Sequence, residues 1–149
     1  MVEFSAGILL YRRAPELEVF VAKMGGPFWA RKDAAAWSIP KGFIEPGEDE
    51  FAAALREFGE EIGAPAPAVE YALLGEFRQP SGKRLTVFAA EHPEAEFVAS
   101  NTFELEWPPR SGRVQQFPEL DTAAWFSIEE ARVKIVKGQL PLLDAIEQI

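Results

Sequence analysis

The chain has 149 residues, of which 48% are hydrophobic and 26% charged, proportions that suit one folded domain spanning 1–149 with a real core. Asp and Glu number 24 against 15 Lys and Arg, for a net charge of -9. Such a surface offers no electrostatic footprint to nucleic acid or to an anionic membrane.

Having no cysteine excludes disulfides, thiolate catalysis and cysteine zinc sites. His92 is the one histidine and sits before Pro93 in a polar stretch, where it reads as a solvated turn residue. Any metal must therefore be held by oxygen, which favours magnesium, manganese or calcium. No run is long and apolar enough to cross a bilayer, and Met1 to Arg13 carries no secretory signature, so a cytoplasmic location is expected.

Phe4 to Tyr11 and Leu17 to Lys23 are rich in β-formers and are joined by Ala14-Pro15-Glu16, which predicts a hairpin. Gly25-Gly26-Pro27 breaks the second strand, and Phe28 to Ala35 follows as a loop. Ala36 to Ile39 reads as a short strand stopped by Pro40, and Glu45-Pro46-Gly47 as a turn. From Asp49 to Ile62 the period becomes helical, with Phe51, Leu55, Phe58 and Ile62 on one stripe, Asp49 as cap and Gly63 as stop. Strands are expected at Glu70 to Arg78 and Arg84 to Ala90. Glu91 to Pro118 reads as a long irregular region, the kind that is functional or unstructured. A last strand at Ala123 to Phe126 leads into a helix from Ser127 to about Lys137, opened by a Ser127/Glu130 capping box. Pro141 to Ile149 is a short amphipathic helix. Mixed strands with two or three helices predict an α/β sandwich.

On the first helix, Glu57, Glu60 and Glu61 stand at i, i+3 and i+4, so three carboxylates share one patch. Most helical glutamates are simply solvated. Like charges at this spacing repel by a few tenths of a kcal/mol, roughly, and a divalent cation among them would cancel that. Arg56 is beside Glu57 and four residues before Glu60, and Glu48 is a further partner for it.

Written in full, Gly42-Phe43-Ile44-Glu45-Pro46-Gly47-Glu48 leads through Asp49 to Leu55 into Arg56-Glu57-Phe58-Gly59-Glu60-Glu61-Ile62-Gly63-Ala64. This resembles the Nudix box, G-x5-E-x7-R-E-U-x-E-E-x-G-U, where U is apolar. All seven fixed positions match, which at about 7% usage each arises by chance roughly once in 10^8 starts. Ala64 is smaller than the usual aliphatic residue at the final position.

The resemblance implies a Nudix-type α/β/α sandwich, a mixed sheet between helices, with the box as loop–helix–loop. It implies hydrolysis of a phosphoanhydride by water, with one or more Mg2+ (or Mn2+) ions bridging substrate phosphates. By position, Glu57 and Glu61 are the implied metal ligands, with Glu60 a direct or water-mediated one and the backbone carbonyl of Lys41 another. Arg56, Gly42 and Glu48 support them. The base varies within the family, being a box glutamate or a later acidic residue, here Glu104, Glu106, Glu119 or Asp121.

The flanks bear on substrate. Trp37-Ser38-Ile39-Pro40-Lys41-Gly42 lacks the Pro-Gly-Gly of many enzymes that clear oxidised triphosphates. It looks more like members that cleave dinucleoside polyphosphates or diphosphoinositol phosphates, and Lys41 would meet a phosphate as a point charge. Two loops mix aromatics with cations, Phe28-Trp29-Ala30-Arg31-Lys32 and Trp107 to Arg113 with Arg110, which suits base stacking beside phosphate contact.

The expected function is metal-dependent pyrophosphohydrolysis of a small-molecule nucleoside polyphosphate, dinucleoside tetraphosphate first. The alternatives are a sanitising pyrophosphatase for oxidised triphosphates and a non-catalytic Nudix-like nucleotide sensor, against which the intact box argues. A calcium module is set aside because the EF-hand pattern is absent. No feature of the sequence sets an oligomeric state.

Overall fold

The computed structural model describes residues 3–13 and 15–149. Strands β1 (Phe4–Arg13) and β2 (Leu17–Met24) pair only near their connection, Tyr11 to Arg13 against Leu17 to Val19, and then diverge. Ala14, in the turn expected between them, lies outside the described residues. Two short strands fill the wedge that opens: β3 (Trp37–Ser38) pairs with β2, and β4 (Lys41–Phe43) pairs with β1. The Ile39-Pro40 link between them spans the gap.

Helix α1 (Glu50–Ile62) follows, then the antiparallel pair β5 (Ala72–Arg78) and β6 (Arg84–Glu91), with β6 running its whole length parallel to Phe4–Tyr11 of β1. After the hairpin β7 (Thr102–Glu106) and β8 (Val114–Pro118), β9 (Leu120–Ser127) closes the other edge of β2. Helix α2 (Ile128–Lys134), a 3-10 turn (Lys137–Gln139) and α3 (Leu140–Ile146) end the chain.

Alternation along β1 and β2 sends side chains to both faces of the sheet, as a sheet covered on both sides requires. Ile8, Leu10, Phe20 and Ala22 pack under α1 with Ala53, Ala54, Phe58 and Ile62. Leu9, Val19 and Val21 pack under α2 and α3 with Trp37, Ala131, Ile135, Leu142, Leu143 and Ile146. The result is the expected α/β/α sandwich with a mixed sheet.

Three departures from the sequence reading have physical causes. The apolar stripe of α1 is rotated: Phe51 and Leu55 are half-buried, while Ala53 and Ala54 are fully buried and let the helix lie close to the sheet. Phe51 instead meets Tyr71 and Phe88, at centroid distances of 5.3 and 5.0 Å. Part of the region expected to be irregular is the β7–β8 hairpin, whose Phe103 faces Phe117 while Glu104 and Glu106 remain exposed. The second helix stops at Lys134 rather than near Lys137, because Ile135 and Val136 turn extended and Val136 N donates to Trp37 O at 2.8 Å.

Candidate functional site

Asp49 caps α1 by accepting from Ala52 N at 3.1 Å. At the other end Gly63 adopts φ 85°, where a Cβ would also strike Ala99 O at 2.3 Å. So held, the helix turns Glu57, Glu60 and Glu61 toward the wedge between β1 and β2. All three line a cavity of about 310 Å³ together with Lys41, Gly42, Phe43, Ser5, Lys83, Asn101 and Glu119.

Arg56 organises the rim. Its Nε and Nη2 donate to the two oxygens of Glu48 at 2.8 and 2.9 Å, the bidentate geometry that suits a guanidinium. Nη1 donates to Glu57 at 2.8 Å and Glu60 at 3.2 Å, and Nη2 also reaches Phe43 O at 3.0 Å. Glu48 accepts from Glu45 N as well, which fixes the turn before the helix. The Arg56 hydrogen bonds hold the Glu48 carboxyl down at about 2, and Glu48 in turn pushes the guanidinium up.

Glu61 behaves differently from its neighbours. It is 9% exposed, less than the Glu57 and Glu60 side chains at 13% and 40%, and its Oε1 accepts from the Lys41 backbone N–H at 3.0 Å. Burial pushes its carboxyl up to about 8 against the lowering effect of that hydrogen bond and of the Lys41 charge. Burial also raises Glu57 and Glu119, and depresses the Lys41 ammonium.

Gly42 makes the arrangement possible. A Cβ there would fall 2.0 Å from Glu57 Cδ, so β4 approaches the carboxylate as only glycine allows. Along the β4–β1 ladder Ile8 N donates to Pro40 O and Ile44 N to Phe4 O, so Lys41 turns its N–H and C=O to the opposite edge. The carbonyl therefore leaves on the Glu61 side.

The donor set fits a divalent cation: four carboxylates and a backbone carbonyl around one cavity, all oxygen, with Lys41 and Lys83 as its cations. Among the described residues no three acidic or histidine side chains are gathered as tightly as around a bound ion. Glu57 and Glu60 are turned onto Arg56, and Glu61 onto Lys41 N.

Of the later acids, Glu119 lines the cavity, and Glu60 adds to the upward push on its carboxyl. Glu104 and Glu106 stay exposed on β7, where Glu106 accepts from Arg110 N, and exposed Asp121 does not line the cavity.

Two further cavities meet the first at Lys41. One, about 290 Å³, is lined by Trp29, Phe103, Met24 and Leu120 with Glu61 and Glu119. The other, about 300 Å³, is lined by Gln79, Pro80, Ser81, Lys83, Leu85, Val136 and Gln139 among others.

The two aromatic–cationic loops do touch, with Phe28 and Trp107 rings edge to face at 5.3 Å, but Trp29 alone of the predicted contacts in them reaches a cavity at Lys41. Phe28 is 60% exposed, and Arg31, Arg110 and Arg113 point to solvent away from these cavities. Arg110 and Arg113 belong to the turn at the far end of the β7–β8 hairpin. The sequence reading missed Asn101, Lys83, Phe103 and Gln139. For Phe103 the alternation Phe103-Glu104-Leu105-Glu106 was an available signal.

A family model described as NUDIX domain matches residues 1–146. The chain belongs to the NUDIX family. Over 62 residues, 41% of this chain and 41% of the relative, it is 39% identical to the asymmetrical bis(5'-nucleosyl)-tetraphosphatase of Caenorhabditis elegans. The match thus spans less than half of either protein. Among solved structures, the C. elegans Ap4A hydrolase in a binary complex is similar with a TM-score of 0.61 at 20% identity, over 97% of this chain and 96% of that one. The NUDIX domain of NrtR from Shewanella oneidensis, complexed with ADP ribose, gives 0.63 at 16% identity, over 99% and 88%. Both likenesses are of fold.

Proposed function

We propose that this Nudix protein is a divalent-cation-dependent pyrophosphohydrolase that cuts a phosphoanhydride bond of a nucleoside polyphosphate, with dinucleoside tetraphosphate as the leading substrate. The observation that carries this reading is the cavity in which Glu57, Glu60, Glu61 and Glu119 face Lys41 behind a fully engaged Arg56. A non-catalytic nucleotide sensor has no need of such a set.

Glu57 and Glu61 would hold Mg2+ or Mn2+ with Glu60 and the Lys41 carbonyl. When bound, such an ion supplies charge neutralisation of the phosphates and lowers the pKa of attacking water. Arg56 orients Glu57 and Glu60 without spending its hydrogen bonds on substrate. Glu119, placed at the cavity wall with a raised affinity for protons, takes the proton of the attacking water. The Lys41 ammonium faces the phosphate chain. The match to the C. elegans tetraphosphatase, which covers 41% of each chain, supports the choice of leading substrate.

The test is product analysis over dinucleoside polyphosphates, intact and oxidised nucleoside triphosphates and nucleotide sugars, with Mg2+ and with a chelator. Mg2+-dependent release of a mononucleotide from dinucleoside tetraphosphate supports the proposal. Preference for oxidised triphosphates moves it to the sanitising activity, and no hydrolysis of any of them sinks it.

A further inference from the structure

Gln139 is a long polar side chain with none of its surface exposed. A buried amide is costly unless its hydrogen bonds are made, so its partners show what it is for. After α2 the chain runs beside residues 35–37: Ala35 N donates to Val133 O at 3.0 Å, Ala36 N to Lys134 O at 3.0 Å, and Val136 N to Trp37 O at 2.8 Å. The backbone then leaves this ladder for the 3-10 turn, where Gln139 N donates to Val136 O at 2.9 Å. The next donor along, Ile39 N–H, sits in the core with no backbone acceptor beside it.

The Gln139 amide takes that rung. Its Oε1 accepts from Ile39 N at 3.0 Å, and its Nε2 donates to Ser38 Oγ at 2.8 Å. The Ser38 hydroxyl donates onward to Ile39 O at 2.8 Å. Pro40 comes next, with no N–H of its own and its carbonyl bonded to Ile8 N, and then Lys41. Lys41 is thus held from behind by Gln139 and from ahead by the ladder to β1.

We infer that Gln139 is a positioning residue for the Lys41 side of the site: its amide fixes Ser38 to Pro40 so that the Lys41 carbonyl and ammonium face Glu61. The inference rests on the hydrolase reading above. If Gln139 served stability alone, its loss would lower Tm and nothing else. As a positioning residue, its loss also weakens cation binding and slows turnover.

The experiment uses the full chain and three variants: Gln139→Met, which keeps length but has no amide; Ser38→Ala; and Leu143→Ala, a destabilised reference in the α3 core. Tm, Mn2+ affinity without substrate by electron paramagnetic resonance, and kcat and KM on dinucleoside tetraphosphate are measured for each. In Gln139→Met, Mn2+ affinity and kcat should fall about tenfold or more while KM changes little. Leu143→Ala should lose Tm and keep both. Equal Mn2+ affinity and kcat in these two variants overturn the inference. Should Gln139→Met fail to fold, Ser38→Ala decides: reduced Mn2+ affinity and kcat at near-normal Tm support it, and wild-type values overturn it. A wild-type chain that binds no Mn2+ and cleaves none of the substrates sinks the hydrolase reading, and this inference with it.

Discussion

A carboxylate as buried as Glu61, with one backbone N–H as its hydrogen-bond donor, is poorly solvated when charged. Its folded pKa of about 8 lies above the unfolded value near 4.5. The folded state therefore binds the proton more tightly, and stability from this group is present below the unfolded pKa and lost as pH rises toward 8. Glu61→Gln removes that loss. In chelator, the Tm of Glu61→Gln should gain on wild type as pH goes from 5 to 8; in Mg2+ at pH 8 the order should reverse, because wild type alone keeps the full ligand set. Thermal melts at the two pH values decide it, and a Tm difference indifferent to both pH and Mg2+ would show that Glu61 meets no cation. Turnover of Glu57→Gln and Glu61→Gln should fall by about two orders of magnitude or more with the fold intact, and near-wild-type rates in both would refute the site. Arg56 tests a different role. Its planar fork serves Glu48, Glu57 and Glu60 at once, which an ammonium cannot do. Arg56→Lys should lower kcat by about tenfold with KM little changed, whereas a raised KM at full kcat would make Arg56 a substrate contact.

Between elements, the decisive approach is that of β4 to α1 at Gly42. An added methyl group meets the Glu57 carboxylate, the free end of a flexible side chain, so the chain can still fold by moving it. The move takes Glu57 off Arg56. Gly42→Ala is thus expected to cost about 1–3 kcal/mol of stability while kcat drops far more than that loss explains, and a variant with normal kcat in steady-state assays would count against Glu57 as a ligand. How much of this was legible in the sequence follows from the range of each interaction. The capped helix and its glutamates repeat locally, and Gly42, Glu48 and Arg56 lie at spacings a pattern can hold. The strand β4 was missed because its three residues carry no alternation of their own; it exists through its ladder to Ser5, Ala6 and Gly7. Ile135 and Val136 had helical neighbours but were drawn out of the helix by Trp37, about a hundred residues earlier in the chain. The Gln139 bonds to Ile39 and Ser38 could not be read for the same reason, since they too join positions about a hundred residues apart. The sequence did not show which way the aromatic–cationic loops face: Trp29 reaches a cavity at Lys41, whereas Arg110 and Arg113 lie in the β7–β8 turn and line none of the three.

At the scale of the molecule, the divergence of β1 from β2 creates a wedge that Ile39-Pro40 bridges, and three cavities of similar size meet at the next residue, Lys41. The first is the most acidic, with Glu57, Glu60, Glu61 and Glu119, and the second shares Glu61 and Glu119 with it. The second adds the rings of Trp29 and Phe103, and the third offers amides, Leu85, Val136 and the Lys83 ammonium. A ligand with a polyanionic stretch and two further groups would have a cavity for each, whereas a nucleoside triphosphate has one such group. Lys41 borders all three of these cavities, so on the proposed reading its charge would serve a phosphate chain that continues past the acidic cavity more than one that terminates there. Its ammonium is also partly desolvated, which strengthens a charged hydrogen bond but makes the group costly to leave unpaired. Lys41→Ala should accordingly penalise kcat/KM on dinucleoside tetraphosphate more than on a nucleoside triphosphate, by about 1–2 kcal/mol, or roughly 5- to 30-fold. The backbone carbonyl at position 41 is retained in the variant, so cation activation should be nearly unchanged. Measuring kcat/KM for both substrates at fixed Mg2+, wild type beside variant, separates the possibilities. Equal losses on the two substrates would mean that Lys41 meets only the phosphates they share, and that chain length is selected elsewhere in the wedge.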